Sequence, residues 1–115
     1  MILYTERLLR VEDKIVYLKS ESNYSWVFLS DGTKYLTSYP LSWWGIMFQG
    51  TSWYRIHRSY LVNLAYLEGK VWDTKSDGVK LSLQFGDTTL PVSRRRVSGL
   101  VRLNSTATKS VSLNP

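Results

Sequence analysis

Short β-forming runs alternate along this chain with turns that contain glycine. Ile15-Val16-Tyr17-Leu18 and Trp26-Val27-Phe28-Leu29 are β-branched and aromatic runs bounded by polar residues. Asp31-Gly32 follows the second run, and Thr33-Lys34-Tyr35-Leu36-Thr37 resumes an extended pattern. An Asp-Gly pair between two such runs is a strong hairpin signal, because both residues tolerate the positive φ that tight turns need. The device recurs at Asp77-Gly78, between Lys70-Val71-Trp72-Asp73 and the cleanly alternating Val79-Lys80-Leu81-Ser82-Leu83. Gly86-Asp87 turns once more into Thr88-Thr89-Leu90-Pro91-Val92. Many short strands with regular turn signals predict a mainly β domain of antiparallel strands. No internal repeat suggests a solenoid.

Two stretches depart from the period of two. Pro40 to Gly50 fits one short helix: Pro40 suits the first turn, Gly50 the stop, and Leu41, Trp44, Met47 and Phe48 are expected on one face, packed as a lid on the core. Gly45 weakens that helix by about 1 kcal/mol. The second is Ser93-Arg94-Arg95-Arg96-Val97-Ser98-Gly99-Leu100, where Ser93 is a good N-cap and Val97, Leu100 and Val101 can dock a turn or two on the sheet. One or two short helices are therefore expected. Residues 1–103 form the expected domain, and the polar, nearly uncharged 104–115 an expected disordered tail.

A chain of 115 residues suits one domain and can bury an ordinary core without staples. With no cysteine and one histidine, disulfides, thiolate metal sites and histidine clusters are excluded, and no metal or cofactor is expected. The N-terminus lacks the pattern of a signal peptide, and no apolar run approaches the roughly 18 residues of a membrane span, so a cytoplasmic protein without membrane partners is expected. The net charge of +6 is unevenly spread. No acid lies between Asp31 and Glu68, an interval holding Lys34, Arg55 and Arg58; none follows Asp87, where Arg94, Arg95, Arg96, Arg102 and Lys109 fall. If the fold joins these two segments, they make the basic face of a polyanion binder.

The stretch from Trp53 to Leu64 mixes core formers (Tyr54, Ile56, Tyr60, Leu61, Val62, Leu64) with hydrogen-bonding residues (Arg55, His57, Arg58, Ser59, Asn63). Catalysis finds no support there. His57 beside Ser59 is adjacency alone, no nucleophile motif or phosphate-binding Walker loop exists, and no enzyme is expected. Nucleic acid fits better. If Ile56 points into the core of a strand, Arg55 and His57 point out together and Arg58 follows at the strand's end. Arginine can bind guanine through two bonds, which carries sequence information as well as charge. Ser93-Arg94-Arg95-Arg96 would place three cations at the partly positive start of a helix, an arrangement that an external phosphate would offset.

These residues resemble a family. Trp53 to Leu64 is similar to the signature of the LytTR DNA-binding domain of bacterial response regulators, and the other pieces follow in the family's order. Ile15-Val16-Tyr17-Leu18 with Ser22-Asn23-Tyr24 resembles its first strand and loop, Asp31-Gly32-Thr33-Lys34-Tyr35 its hairpin, and Leu90-Pro91-Val92-Ser93-Arg94-Arg95 its closing motif. The likeness runs from about Arg7 to Leu103. It implies an elongated, mainly β arrangement of packed antiparallel sheets that reads duplex DNA through loops set in successive major grooves. Carried over residue by residue, it places Asn23, Tyr24 and Ser25 in a first contact loop. Arg55, His57, Arg58 and Ser59 fall in a second, with Arg58 the base reader, and Arg94 and Arg95 in a third. Asn63 is expected to be structural, tying the turn after Tyr60. Lys19 stands where the family usually has Glu, which changes the charge beside the first loop. Such domains usually follow a receiver or membrane module, which 115 residues do not hold. A free-standing regulator, or one controlled by a separate sensor partner, is left open. Two copies on paired sites are also expected.

The expected function is sequence-specific binding of double-stranded DNA in transcriptional regulation. Two alternatives stay open: a single-stranded nucleic acid or RNA binder that stacks bases on its eight tyrosines and five tryptophans, and a basic β-rich module for protein interaction.

Overall fold

The computed structural model describes residues 2–50, 52–73 and 80–107. Among these residues eight antiparallel strands form two sheets, and the principal extents are 44 × 30 × 25 Å. Strands β1 (Ile15–Glu21), β2 (Tyr24–Leu29), β3 (Lys34–Thr37), β4 (Trp53–His57) and β5 (Tyr60–Asn63) make a sheet in the order β3-β2-β1-β5-β4. Strands β6 (Gly69–Asp73), β7 (Lys80–Phe85) and β8 (Thr88–Val92) make a smaller meander. The Asp31-Gly32 and Gly86-Asp87 turns lie where the sequence puts them, with Gly32 at φ 92° and Gly86 at φ 62°. Asp77-Gly78 lies outside the described residues.

Alternation along the strands assigns side chains to two cores. On one face of the larger sheet, Ile15, Leu18, Val27 and Leu61 pack under helices α1 (Ile2–Arg10) and α2 (Leu41–Met47), joined by Leu8, Leu41, Trp44 and Phe48. On the other face, Ile56 and Val62 meet Leu81, Leu83, Phe85, Leu90 and Val92 of the meander and Leu100 of helix α3 (Arg94–Ala107). Burying an aliphatic side chain of this size contributes about 1.5–3 kcal/mol, so each core is sufficient to fix its face of the sheet.

Helix content exceeds the sequence expectation. Three helices are present among the described residues, and α3 runs for 14 residues, through Asn104 to Ala107. The N-terminal helix has a legible cause: Thr5 and Leu8 are buried, Leu9 packs beside them, and Glu6, Arg7 and Arg10 are exposed, a stripe at helical spacing. Helix α2 starts at Leu41, with Pro40 as its extended N-cap; Leu41, Trp44 and the C-cap residue Phe48 are buried as expected, but Met47 is 46% exposed. At 3.6 residues per turn, Met47 lies about 100° around the helix from Phe48, outside the stripe.

Strand polarity sets two ends. Pairing of Ile15 with Leu29 and of Tyr17 with Val62 puts the start of β1, the end of β2 and the end of β5 together. The opposite end carries the β1–β2 turn, the β4–β5 turn and the passage from β8 into α3. No helix among the described residues is long and apolar enough to cross a membrane.

Candidate nucleic-acid interface

The three stretches singled out by the sequence meet at that second end. Two main-chain hydrogen bonds join them. Ser20 N donates to Ser59 O at 2.9 Å, which ties the end of β1 to the β4–β5 turn. Ser93 N donates to Ile56 O at 2.8 Å, which ties the entrance of α3 to β4. The middle stretch is thus a hub with the other two braced against it.

The first stretch is not the open loop its composition suggests. Strands β1 and β2 continue to Glu21 and Tyr24, leaving a tight turn at Ser22-Asn23, with Ser22 at φ 59°. Asn23 is exposed and Tyr24 is 48% exposed. Ser25 corrects the sequence expectation of a contact residue. It is fully buried, its hydroxyl donates to Tyr39 O at 2.7 Å, and its carbonyl accepts from Thr37 Oγ1 at 3.0 Å. Alternation explains this: Ser25 faces the α2 side of the sheet with Val27, whereas Tyr24 and Trp26 face the other way. Lys19 lies between the first two stretches, exposed and paired across the strands with both Trp26 and Tyr60.

In the second stretch, Ile56 is fully buried, as expected of the strand's inward residue. A bulge falls between Arg55 and His57 in the β4–β5 ladder. Bulges re-aim side chains, and both neighbours turn back on the loop they precede. Arg55 Nε donates to His57 O at 2.9 Å, and Arg55 Nη2 donates to Arg58 O at 2.6 Å. His57 Nδ1 accepts from Ser59 N at 3.0 Å. Arg58 is left exposed at the tip, with Ser59 half-buried beside it. Asn63 is the structural residue the sequence suggests. Buried to 3% exposure, it accepts through Oδ1 from Ser52 Oγ and Ala65 N and donates through Nδ2 to Ile15 O.

In the third stretch, Arg94 and Arg95 are exposed in the first turn of α3 and Arg96 is half-buried. That turn holds no acid, so nothing on the helix itself offsets three cations at its positive end. Tyr54 Oη donates to Arg96 O at 2.9 Å, which anchors the turn to β4. The approach requires Gly99, since a Cβ there would collide with the Tyr54 hydroxyl. Burial first, and then the nearby Arg96 guanidinium, pull the Arg55 pKa below the usual arginine value. Arg96 therefore belongs to the same positive field, a membership that sequence spacing did not separate from Arg94 and Arg95.

Lys19, Arg58, Arg94 and Arg95 thus reach solvent from three braced elements, with Arg55 and Arg96 behind them. No curated protein matches the chain. In structure, a LytTr DNA-binding domain from a Bacillus cereus protein described as a methyl-accepting/DNA response regulator aligns with a TM-score of 0.66. It is 21% identical, and the alignment covers 79% of this chain and 81% of that one. That likeness concerns the fold. The family model of the LytTr DNA-binding domain matches residues 7–104, nearly the whole described chain, and on that extent the chain belongs to the LytTR family of DNA-binding domains.

Proposed function

We propose that this chain binds double-stranded DNA in a sequence-specific way to regulate transcription, reading major grooves with loops carried on a β scaffold. The observation that carries the reading is the pair of main-chain bonds, Ser20 N to Ser59 O and Ser93 N to Ile56 O, which hold three cation-bearing elements at one end of the molecule. Asn23, Tyr24, Arg58, Ser59, Arg94 and Arg95 face the DNA, with Arg58 the base reader and Lys19 a phosphate contact. Two copies on paired sites, and control by a separate sensor partner, complete the proposal.

Selection of duplexes from random sequence, followed by binding of the recovered site, tests it. Arg58→Ala and Arg94→Ala should each weaken that site by about 1–3 kcal/mol and relax preference at one base position. Affinity should also fall by orders of magnitude between roughly 50 and 200 mM salt, as counterions compete for the phosphates. If both variants bind like wild type, or the salt response is flat, the reading is wrong. A single-strand binder remains the second reading, favoured by Tyr24 at 48% exposure on the open face of β2. On that face Lys34 Nζ already covers the Trp26 ring at 4.7 Å from its centre. Competition between duplex and single-stranded oligonucleotides separates the two.

A further inference from the structure

We infer that Arg55 and His57 are positioning residues, which shape the β4–β5 turn so that Arg58 is presented to DNA. The inference rests on the DNA-binding reading above and alters the part these two residues play in it.

The geometry assigns the roles. An arginine side chain has five N–H donors and no acceptor. Two of the five on Arg55 are spent on the carbonyls of His57 and Arg58, which belong to the two successive peptides flanking Arg58. A half-buried guanidinium in this position supports the turn from beneath. The imidazole closes the turn from the other side. Its Nδ1 accepts from the amide two residues on, the bond an Asn or Asp side chain makes in an Asx turn. Accepting at Nδ1 requires the neutral ring with its proton on Nε2. The Ser59 carbonyl then receives Ser20 N, so the shaped turn also fixes the first contact element. Tyr60 packs beside the imidazole with ring centres 5.6 Å apart, which limits the ring's freedom to leave. These three bonds of the two side chains end on the turn's own backbone, and Arg58 is the exposed cation between them.

Substitutions chosen by atom position test the roles. Asn at 57 places Oδ1 where Nδ1 lies, whereas Gln places its oxygen one carbon further out. His57→Asn should bind the selected duplex within about threefold of wild type, and His57→Gln should lose about tenfold, the effect of one hydrogen bond. Arg55→Lys offers a single nitrogen for two carbonyls and should lose about tenfold, with Arg55→Ala losing at least as much. Neither Arg55 variant should change the slope of log affinity against log salt, while Lys19→Ala should reduce it by about one. In the DNA-free protein, exchange of the Ser59 amide should accelerate in His57→Gln and both Arg55 variants, and stay slow in wild type and His57→Asn. A direct-contact role would show the reverse: the salt slope falling by about one in Arg55→Ala with Ser59 protection intact, or His57→Gln binding better than His57→Asn. Either result overturns the inference. If wild type selects no duplex site, the DNA-binding reading fails on its own, and Ser59 exchange in the free protein still decides whether these side chains hold the turn.

Discussion

At the β2–β3 turn, Asp31 Oδ1 accepts from Thr33 N, two residues on, at 3.0 Å, and from Thr33 Oγ1 at 2.6 Å. At the β4–β5 turn, His57 Nδ1 accepts from Ser59 N, also two residues on and also at 3.0 Å. The local bond is the same and the chemistry opposite. The first turn is closed by a carboxylate, at the end of the sheet away from the basic elements. The second is closed by an imidazole, with Arg55 beneath it, among Arg58, Arg94 and Lys19. A carboxylate would make the same bond more strongly but would face the phosphates that the neighbouring cations attract. On the proposed DNA-binding reading, the β4–β5 turn is shaped under a constraint the β2–β3 turn does not have: it must be rigid without an acid.

The largest expected effect comes from erasing that difference. His57→Asp should preserve the turn, since Asp closes the β2–β3 turn in this way, and leave thermal stability close to wild type. Specific DNA affinity should drop on the order of 100-fold, or about 3 kcal/mol, because a like charge now opposes the phosphate backbone. His57→Asn, isosteric and neutral, is the control. A His57→Asp protein that binds the selected duplex within threefold of wild type would show that the turn does not face phosphate, and the contrast between the turns would lose its functional meaning.

The basic end has a second brace, from Tyr54 to the first turn of α3, and it should break next. Tyr54 reaches Arg96 O only because position 99 is glycine. Glycine inside a helix costs about 1 kcal/mol relative to alanine, so Gly99 is explained by packing and not by helix formation. Gly99→Ala should destabilise by about 2 kcal/mol as Tyr54 is displaced. Gly45, in α2 with open space around it, gives the opposite sign: Gly45→Ala should stabilise by about 0.5–1 kcal/mol. Urea unfolding of the two variants checks the pair. Equal effects would mean that Tyr54 yields freely and that α3 is not anchored through it.

Much of this was legible in the chain. The β-branched and aromatic runs of β1 and β2 and the clean alternation of β7 gave the antiparallel sheets, and the Asp-Gly and Gly-Asp pairs gave two of the turns. What escaped follows from physics that is not local. Ser25 sits in a polar run and reads as loop, but the strand pairing of Ser20 with Ser25 carries it into the sheet and period two turns it inward. Arg55 and His57 read as outward because Ile56 is inward, which is correct for a regular strand; the bulge after Arg55 re-aims them. A bulge is a property of the pair of strands, and β4 alone does not announce it. The length of α3 escaped because the expected helix rested on Val97, Leu100 and Val101 alone, and the polar residues from Asn104 read as tail.

The smallest effect lies in the turn that serves only the fold. The bonds from Thr33 Oγ1 and Thr33 N, with Lys14 nearby, hold the Asp31 carboxyl below the ordinary carboxylate range, even though the group is fully exposed. A carboxyl whose folded pKa is depressed stabilises the fold above its unfolded pKa, and that contribution disappears as pH falls through the folded value. Asp31→Asn keeps an oxygen acceptor for Thr33 N and removes only the charge. Wild type should therefore be slightly more stable than Asp31→Asn near neutral pH. The gap should close on acidification from about pH 5 to below the carboxyl's lowered pKa, since unfolded aspartate titrates near about 3.9. DNA affinity at neutral pH should be the same for both. Paired unfolding curves across that range, with the Asp31 carboxyl followed by NMR titration, decide it. If the carboxyl titrates at or above the ordinary aspartate value, the ionised side chain is not what closes this turn. The two hairpins would then differ in mechanism as well as in charge, and His57→Asp would have to be judged on its own stability without Asp31 as its precedent.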